Sequence, residues 1–266
     1  MKKKFLIITG DLLKHKYFAI QIIKRIPNTY VFFERYPDEI NKNYTNDTSK
    51  IIKKHFNEVI KTDKKFFNKY VNRNKSFLTS KTKFEFKKGK INSKIVLKKI
   101  TEMNPSLIIV NAVSVIKGDL LKKYNNKIIN FHAGLSQYYR GAGCNVWAIY
   151  YKKIENIGIT FHVVNSKIDE GSIIAQAKPK LTKNDNSHTI GCKNTILASN
   201  LIIKIIKYFN KFNLLPPLTK IRKKNFIHCY KRDFNKNIVL EVNKILNSGI
   251  INKHIKKQKY SKIISL

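Results

Sequence analysis

Acid, arginine, cysteine and long apolar runs are all scarce in this sequence, and each shortage removes a class of protein. Only 16 of 266 residues are Asp or Glu against 54 Lys and Arg, which leaves a formal net charge of +38. A charge of that size invites a nucleic-acid partner, because cations that neutralise phosphates release counterions. Arginine, however, supplies just 6 of the 54 cations, and the forked guanidinium is the group that reads bases and phosphates bidentately. Lysine is spread over the whole chain beside an excess of Ile and Asn, the set an AT-rich coding sequence produces. The charge reads as a solvated lysine surface. It does not exclude nucleic acid, and its field would draw anionic ligands.

The three cysteines, Cys144, Cys192 and Cys229, are odd in number, far apart and outside any CxxC pair. This argues against a disulfide framework or zinc ribbon and suits a reducing cytoplasm. No run approaches the ~18 consecutive apolar residues of a membrane helix. The lysines at 2–4 have the charge of a signal peptide, yet the apolar run Phe5–Ile8 is shorter than the roughly 7–15 residues required. A cytoplasmic globular protein without a membrane partner is expected, and its 42% hydrophobic content is ordinary for one.

Residues 5–10 read as a buried strand, 15–26 as a helix with Phe18, Ala19, Ile22, Ile23 and Ile26 on one face, and 29–34 as a second strand. Strand, helix and strand in so short a span predict a parallel sheet. From 46 to 70, apolar residues recur at threes and fours between lysines, predicting an amphipathic helical insert within 38–90 that is broken near Thr62-Asp63. Further strands are expected at 84–86, 107–110, 127–132, 157–164 and 172–177, and helices at 92–103 and 190–211. Pro216-Pro217 is the clearest break, followed by a strand at 226–230 and a helix after Asp233. The fold expected is α/β, a mostly parallel sheet with helices on both faces over 1–215, then a small α+β appendage over 216–266.

Four short motifs could carry chemistry. Alternation puts Asn130 and His132 on one face of a strand end, where an amide and an imidazole can donate to one oxygen. A polar strand end with a satisfied histidine is the plainer explanation. Tyr139-Arg140-Gly141-Ala142-Gly143 marks a loop whose backbone passes close to something, although its spacing fits neither a dinucleotide fingerprint nor a P-loop. Gly158-x-Thr160-x-His162 lies in a strand. Asp169-Glu170-Gly171 is ordinary turn chemistry, but a carboxylate that orients a histidine is the usual third member of an acyl-transfer site. His132, His162 and Asp169 could also serve a metal hydrolase, a reading the motif context disfavours; no metal is expected.

In this order and spacing the four motifs resemble the formyltransferases that use 10-formyltetrahydrofolate, a family that includes glycinamide ribonucleotide, methionyl-tRNA and sugar N-formyltransferases. The motifs cover about 105–180, and a Rossmann-like plan extends over 1–210. The resemblance implies that Asn130 and His132 surround the formyl oxygen and that Asp169 is the essential aspartate. It also implies that Ser114, Val115 and Ile116 with Val164, Asn165 and Ile168 hold the pterin of the donor.

The departures narrow the acceptor. Ser136-Gln137 replaces the family's Leu-Pro before Arg-Gly. Thr9-Gly10-Asp11-Leu12-Leu13-Lys14-His15 replaces the Gly-Ser-rich phosphate loop of purine synthesis. About 50 residues after Pro217 are too few for the β-barrel of about 100 that methionyl-tRNA formyltransferases carry. A primary amine on a small anionic metabolite, best a nucleotide-linked amino sugar, is expected, with Lys14, His15, Arg140 and Gly141 as candidates to meet it. Arg140 could equally pin its loop through backbone carbonyls. A methionyl-tRNA formyltransferase-like enzyme and a non-catalytic nucleic-acid-binding protein are the alternatives, and a homodimer is compatible with either.

Overall fold

The computed structural model describes residues 3–36, 45–220 and 225–257. β1 (Phe5–Gly10) is buried along its whole length because it lies between two parallel neighbours, β2 (Thr29–Arg35) and β4 (Leu107–Asn111). A strand covered on both faces has no polar side to show, and so reads as one apolar run. With β3 (Thr82–Lys87), β5 (Ile128–His132), β7 (Ile159–Val163) and β8 (Ile173–Ala177), the strands form a sheet of order β3-β2-β1-β4-β5-β7-β8. The first five run parallel; β7 runs antiparallel to both its neighbours, β5 and the edge strand β8. The order reverses between β1 and β4, which opens a crevice beyond the carboxyl ends of the strands.

Alternation sorts the two faces. Phe5, Ile7, Val31, Phe33, Ile109, Ile129 and Phe131 share a core with residues of α1 (Leu13–Ile23), α2 (Lys50–Arg73) and α7 (Ser187–Phe212). Leu6, Ile8, Phe32, Ile108, Val110 and Ile128 pack with α4 (Lys94–Met103) and α5 (Gly118–Lys123). α7 begins at a capping box in which Asn186 and Thr189 satisfy each other's backbone N–H groups. Among the described residues no helix is long and apolar enough to cross a membrane.

Two sequence expectations change. The described part of the 38–90 insert holds α2, one unbroken helix through Thr62-Asp63, then α3 (Lys75–Lys81) and β3, an edge strand of the main sheet. Asp63 does not break α2 because its buried carboxylate is paired with Lys14, 3.5 Å away. α2 packs on the body, where fully buried Phe67 meets Tyr17 at 4.6 Å between ring centroids.

The segment after Pro217 is also joined closely to the rest. Thr219 bridges Ile173 at the sheet edge, and β9 (Ile227–Cys229) pairs in parallel with β6 (Tyr139–Gly141). Val239 and Val242 of α8 (Lys236–Asn247) share a core with Trp147 and Ala148 of α6 (Cys144–Tyr150). α9 (Ile250–Lys257) follows, its Ile251 in the same cluster.

Phe67→Ala should lower unfolding stability by about 3–5 kcal/mol in denaturant titration. A loss within about 0.5 kcal/mol would instead mark α2 as peripheral. A second prediction concerns His55 of α2, whose Nδ1 lies 3.3 Å from Nε2 of His188. Burial, and then the neighbouring His188, pull His55 down to about 4. An unfolded histidine titrates near ~6.5, so between these values the unfolded chain binds more protons and stability falls as pH drops through the window. His55→Gln should flatten part of that fall in urea midpoints measured at about pH 7 and about pH 5; an identical pH slope would remove the assignment.

Candidate active site

α4 and α5 cover their face of the sheet only as far as Ile128 of β5. The next residues on that face are Asn130 and His132, and the antiparallel register sets His162 opposite Asn130 and Thr160 opposite His132. Four polar side chains therefore stand together past the part of the face that α4 and α5 cover. Two loops, 133–138 and 164–172, close this patch instead.

Asp169 is the centre of this patch. Its Oδ2 lies 3.2 Å from His132 Nδ1 and accepts from the Gly141 N–H at 2.9 Å. Its Oδ1 accepts from Asn130 Nδ2 at 3.2 Å and lies 3.2 Å from His162 Nε2. The carboxylate reaches these partners from a left-handed backbone, φ 53°, a conformation aspartate tolerates better than most residues. Two glycines make the approach possible. A side chain at Gly171 would overlap the Val163 carbonyl, and Gly141, at φ 98°, lies where a Cβ would stand 2.6 Å from the Cys229 carbonyl.

The hydrogen bonds fix the tautomers. His162 Nδ1 donates to Val163 O at 2.9 Å, leaving Nε2 facing the Asn130 amide at 3.0 Å and Asp169 Oδ1 at 3.2 Å. His132 Nε2 donates to Tyr139 O at 3.1 Å, leaving Nδ1 as its basic nitrogen, facing Asp169. Burial lowers the His132 pKa and outweighs the Asp169 charge that raises it; His162 and Arg140 lower it further. Burial alone would raise Asp169, but His132, His162 and the Gly141 N–H together hold it well below the usual carboxylate range. The result is a fixed anion beside a buried imidazole whose open position can take up one proton.

The other sequence candidates fall elsewhere. Gly141 holds Asp169 through its N–H. Arg140 is buried, donating from Nε to Ser136 O at 3.0 Å and ion-paired with Glu170 at 2.8 Å; it pins its own loop to the aspartate turn, which corrects its reading as a ligand-facing cation. Lys14 pairs with Asp63, and His15 is buried against Tyr36 over Gly10, so neither contacts the Asp169 group, and their reading as acceptor ligands gains no support. Ser114 accepts from the Gly89 N–H at 3.0 Å and donates its own N–H to the buried Glu34 carboxylate at 2.6 Å. Val115 and Ile168 are more than half exposed, Ile116 is buried beside Leu120, Val164 packs on the same cluster, and Asn165 accepts from the Lys167 N–H. The sequence offered His162 only within its strand motif and as a metal-hydrolase candidate, with no role in formyl transfer; the β5–β7 register shows that it faces Asn130. Among the described residues no group of three or more His, Cys, Asp or Glu is arranged to hold a metal ion.

A doubly wound α/β sheet whose fifth strand ends in Asn-x-His, answered by an aspartate from the β7–β8 loop, defines a narrow class. The formyl transferase family profile matches residues 39–206, more than half of the chain, and the chain belongs to that family. The methionyl-tRNA formyltransferase of Thermodesulfovibrio yellowstonii is 30% identical over 122 residues, 45% of this chain and 39% of that protein. The mitochondrial formyltetrahydrofolate deformylase 2 of Arabidopsis thaliana is 28% identical over 110 residues, 41% of this chain and 33% of its own length. The matched region thus spans about two fifths or less of these curated relatives. Among solved structures, a sugar N-formyltransferase from Shewanella superposes with a TM-score of 0.55 at 17% identity, over 85% of this chain and 76% of that one. The phosphoribosylglycinamide formyltransferase of Anaplasma phagocytophilum gives 0.56 at 15% identity, over 86% and 100%. These superpositions establish the shared fold.

Asp169→Asn removes the one charge that raises His132, so the imidazole should titrate still lower in an NMR pH series. An unshifted His132 would break the pairing described.

Proposed function

We propose that this chain transfers a formyl group from 10-formyltetrahydrofolate to a primary amine of a small anionic metabolite, with a nucleotide-linked amino sugar as the favoured acceptor. The observation that carries this reading is the Asp169 carboxylate shared by His132 and Asn130 at the end of β5. In the reaction, the amine nitrogen attacks the formyl carbon and the carbonyl electron pair moves onto oxygen. Asn130 and His132 Nε2 exchange their present partners, His162 and Tyr139 O, for that oxyanion. The ammonium proton passes to His132 Nδ1 against Asp169, directly or through water, and from there to the folate nitrogen as its bond to carbon breaks. That bond breaks as the oxyanion's electron pair re-forms the carbonyl, giving the new formamide and tetrahydrofolate. Residues 114–116, with Val164, Asn165 and Ile168, are assigned to the pterin, Val115 and Ile168 supplying exposed apolar surface.

The acceptor is argued from shape and charge. In glycinamide ribonucleotide formylation a phosphate loop is needed after the first strand; here the rings of His15 and Tyr36, 5.7 Å apart, fill the space over Gly10. The net charge of +38 favours an anionic ligand. Methionyl-tRNA is the second reading, favoured by the 30% identity to methionyl-tRNA formyltransferases. A non-catalytic nucleic-acid-binding role is disfavoured, since the Asp169 network is complete.

Incubation with 10-formyltetrahydrofolate and a panel of nucleotide-linked amino sugars should give an N-formyl product by mass spectrometry. His132→Ala should cut the rate by about 10²–10³, the contribution of an oxyanion donor; an unchanged rate would remove the mechanism. Formylation of charged tRNA with none of the small amines would overturn the acceptor.

A further inference from the structure

β9 presents two different faces. Ile227 and Cys229 join the apolar cluster that holds Trp147, while Phe226, His228 and Tyr230 form a contiguous aromatic strip on the other side. Phe226 and His228 meet edge to face at 4.8 Å between ring centroids, and His228 stacks on Tyr230 at 5.3 Å with 20° between planes. A guanidinium lies over each end. Arg140 Cζ is 3.4 Å from the Phe226 centroid and Arg232 Cζ is 4.8 Å from that of Tyr230.

The two ends are not equivalent. Arg140 is buried and paired with Glu170, the chain neighbour of Asp169, so the strip begins beside the candidate active site. At the far end Tyr230 is 46% exposed and the Arg232 side chain 74% exposed, its nearest carboxylate, Asp233, standing 3.7 Å away. Two exposed rings, His228 and Tyr230, ending in a loosely held cation match the chemistry of a base joined to phosphates. Flat bases of any sequence stack on aromatic faces, and a guanidinium binds phosphate through paired hydrogen bonds.

We propose that this strip seats a nucleoside diphosphate, with the base stacked on Tyr230 beside His228. Arg232 gives up its place over the ring and meets the phosphates. This deepens, and rests on, the reading that the acceptor is a nucleotide-linked amine.

The test is calorimetric titration of the full chain with uridine 5′-diphosphate and adenosine 5′-diphosphate, with inorganic pyrophosphate as the charge-only control. Tyr230→Ala should weaken both nucleotides about five- to a hundredfold and leave pyrophosphate affinity unchanged. Tyr230→Phe, which keeps the ring, should bind as the parent does, and His228→Ala, at an exposed position, should weaken the nucleotides in the same sense. Unaltered nucleotide affinity in Tyr230→Ala, or nucleotides binding no tighter than pyrophosphate, would overturn the proposal. So would Tyr230-dependent binding of a single-stranded oligonucleotide with neither diphosphate bound, which would make the strip an RNA platform. Formyl transfer is scored separately. A parent chain that binds neither nucleotide yet transfers formyl to a simple amine rejects the strip alone; Tyr230-dependent nucleotide binding without transfer supports the strip and rejects the catalytic reading.

Discussion

The Asp169 carboxylate engages four groups, Asn130, His132, the Gly141 backbone and His162, and these come from three separate stretches of chain. A buried anion is costly unless its lone pairs are met, so each of those stretches must arrive in register for the fold to tolerate the charge. The same demand explains the left-handed backbone at 169 and the absence of a side chain at Gly171. It also explains why Arg140 turns away from solvent to hold Glu170, since that contact ties the aspartate turn to the loop that donates from Gly141.

The sheet supplies the place for this charge. Helices α4 and α5 pack on β1, β2, β4 and the first residue of β5, and then stop. Past that point, two polar residues on β5 and two on β7 take the positions where apolar side chains would otherwise meet a helix. Their hydrogen bonds substitute for apolar burial: Thr160 donates to Gly134 O and accepts from the Ser136 N–H and from Gln176. A polar layer of this kind is stable only when its members satisfy one another, which makes the site rigid before any ligand arrives.

The stretch after Pro217 extends that construction. By pairing β9 with β6 and packing α8 on α6, it fixes the backbone of 139–141 from outside, so the N–H that meets Asp169 is held from both sides. Cys229 lies so close to Gly141 that its carbonyl accepts from the Ala142 N–H at 2.9 Å. The described stretch after Pro217 is thereby coupled to the site, although among its described residues no side chain enters the Asp169 group.

Local chemistry made much of the fold legible. Apolar runs marked β1 and β4, three-and-four spacing marked α1, α2 and α7, and the Asn-x-His and Asp-x-Gly motifs pointed to the patch around Asp169. Other features depend on partners distant in sequence. Asp63 looked like a helix breaker because nothing near it in sequence shows that Lys14 meets it. Arg140 looked free to bind a ligand because Glu170 is distant in sequence. Residues 139–141 read as a loop because β9, the strand that pairs with them, arrives almost ninety residues later. What the sequence by itself determined was periodicity, and hence the elements and which side chains share a face, because those follow from backbone geometry within a few residues. Register, burial and the pairing of charges were decided only by tertiary structure, because the energy of a buried charge depends on which groups the fold brings within hydrogen-bonding distance.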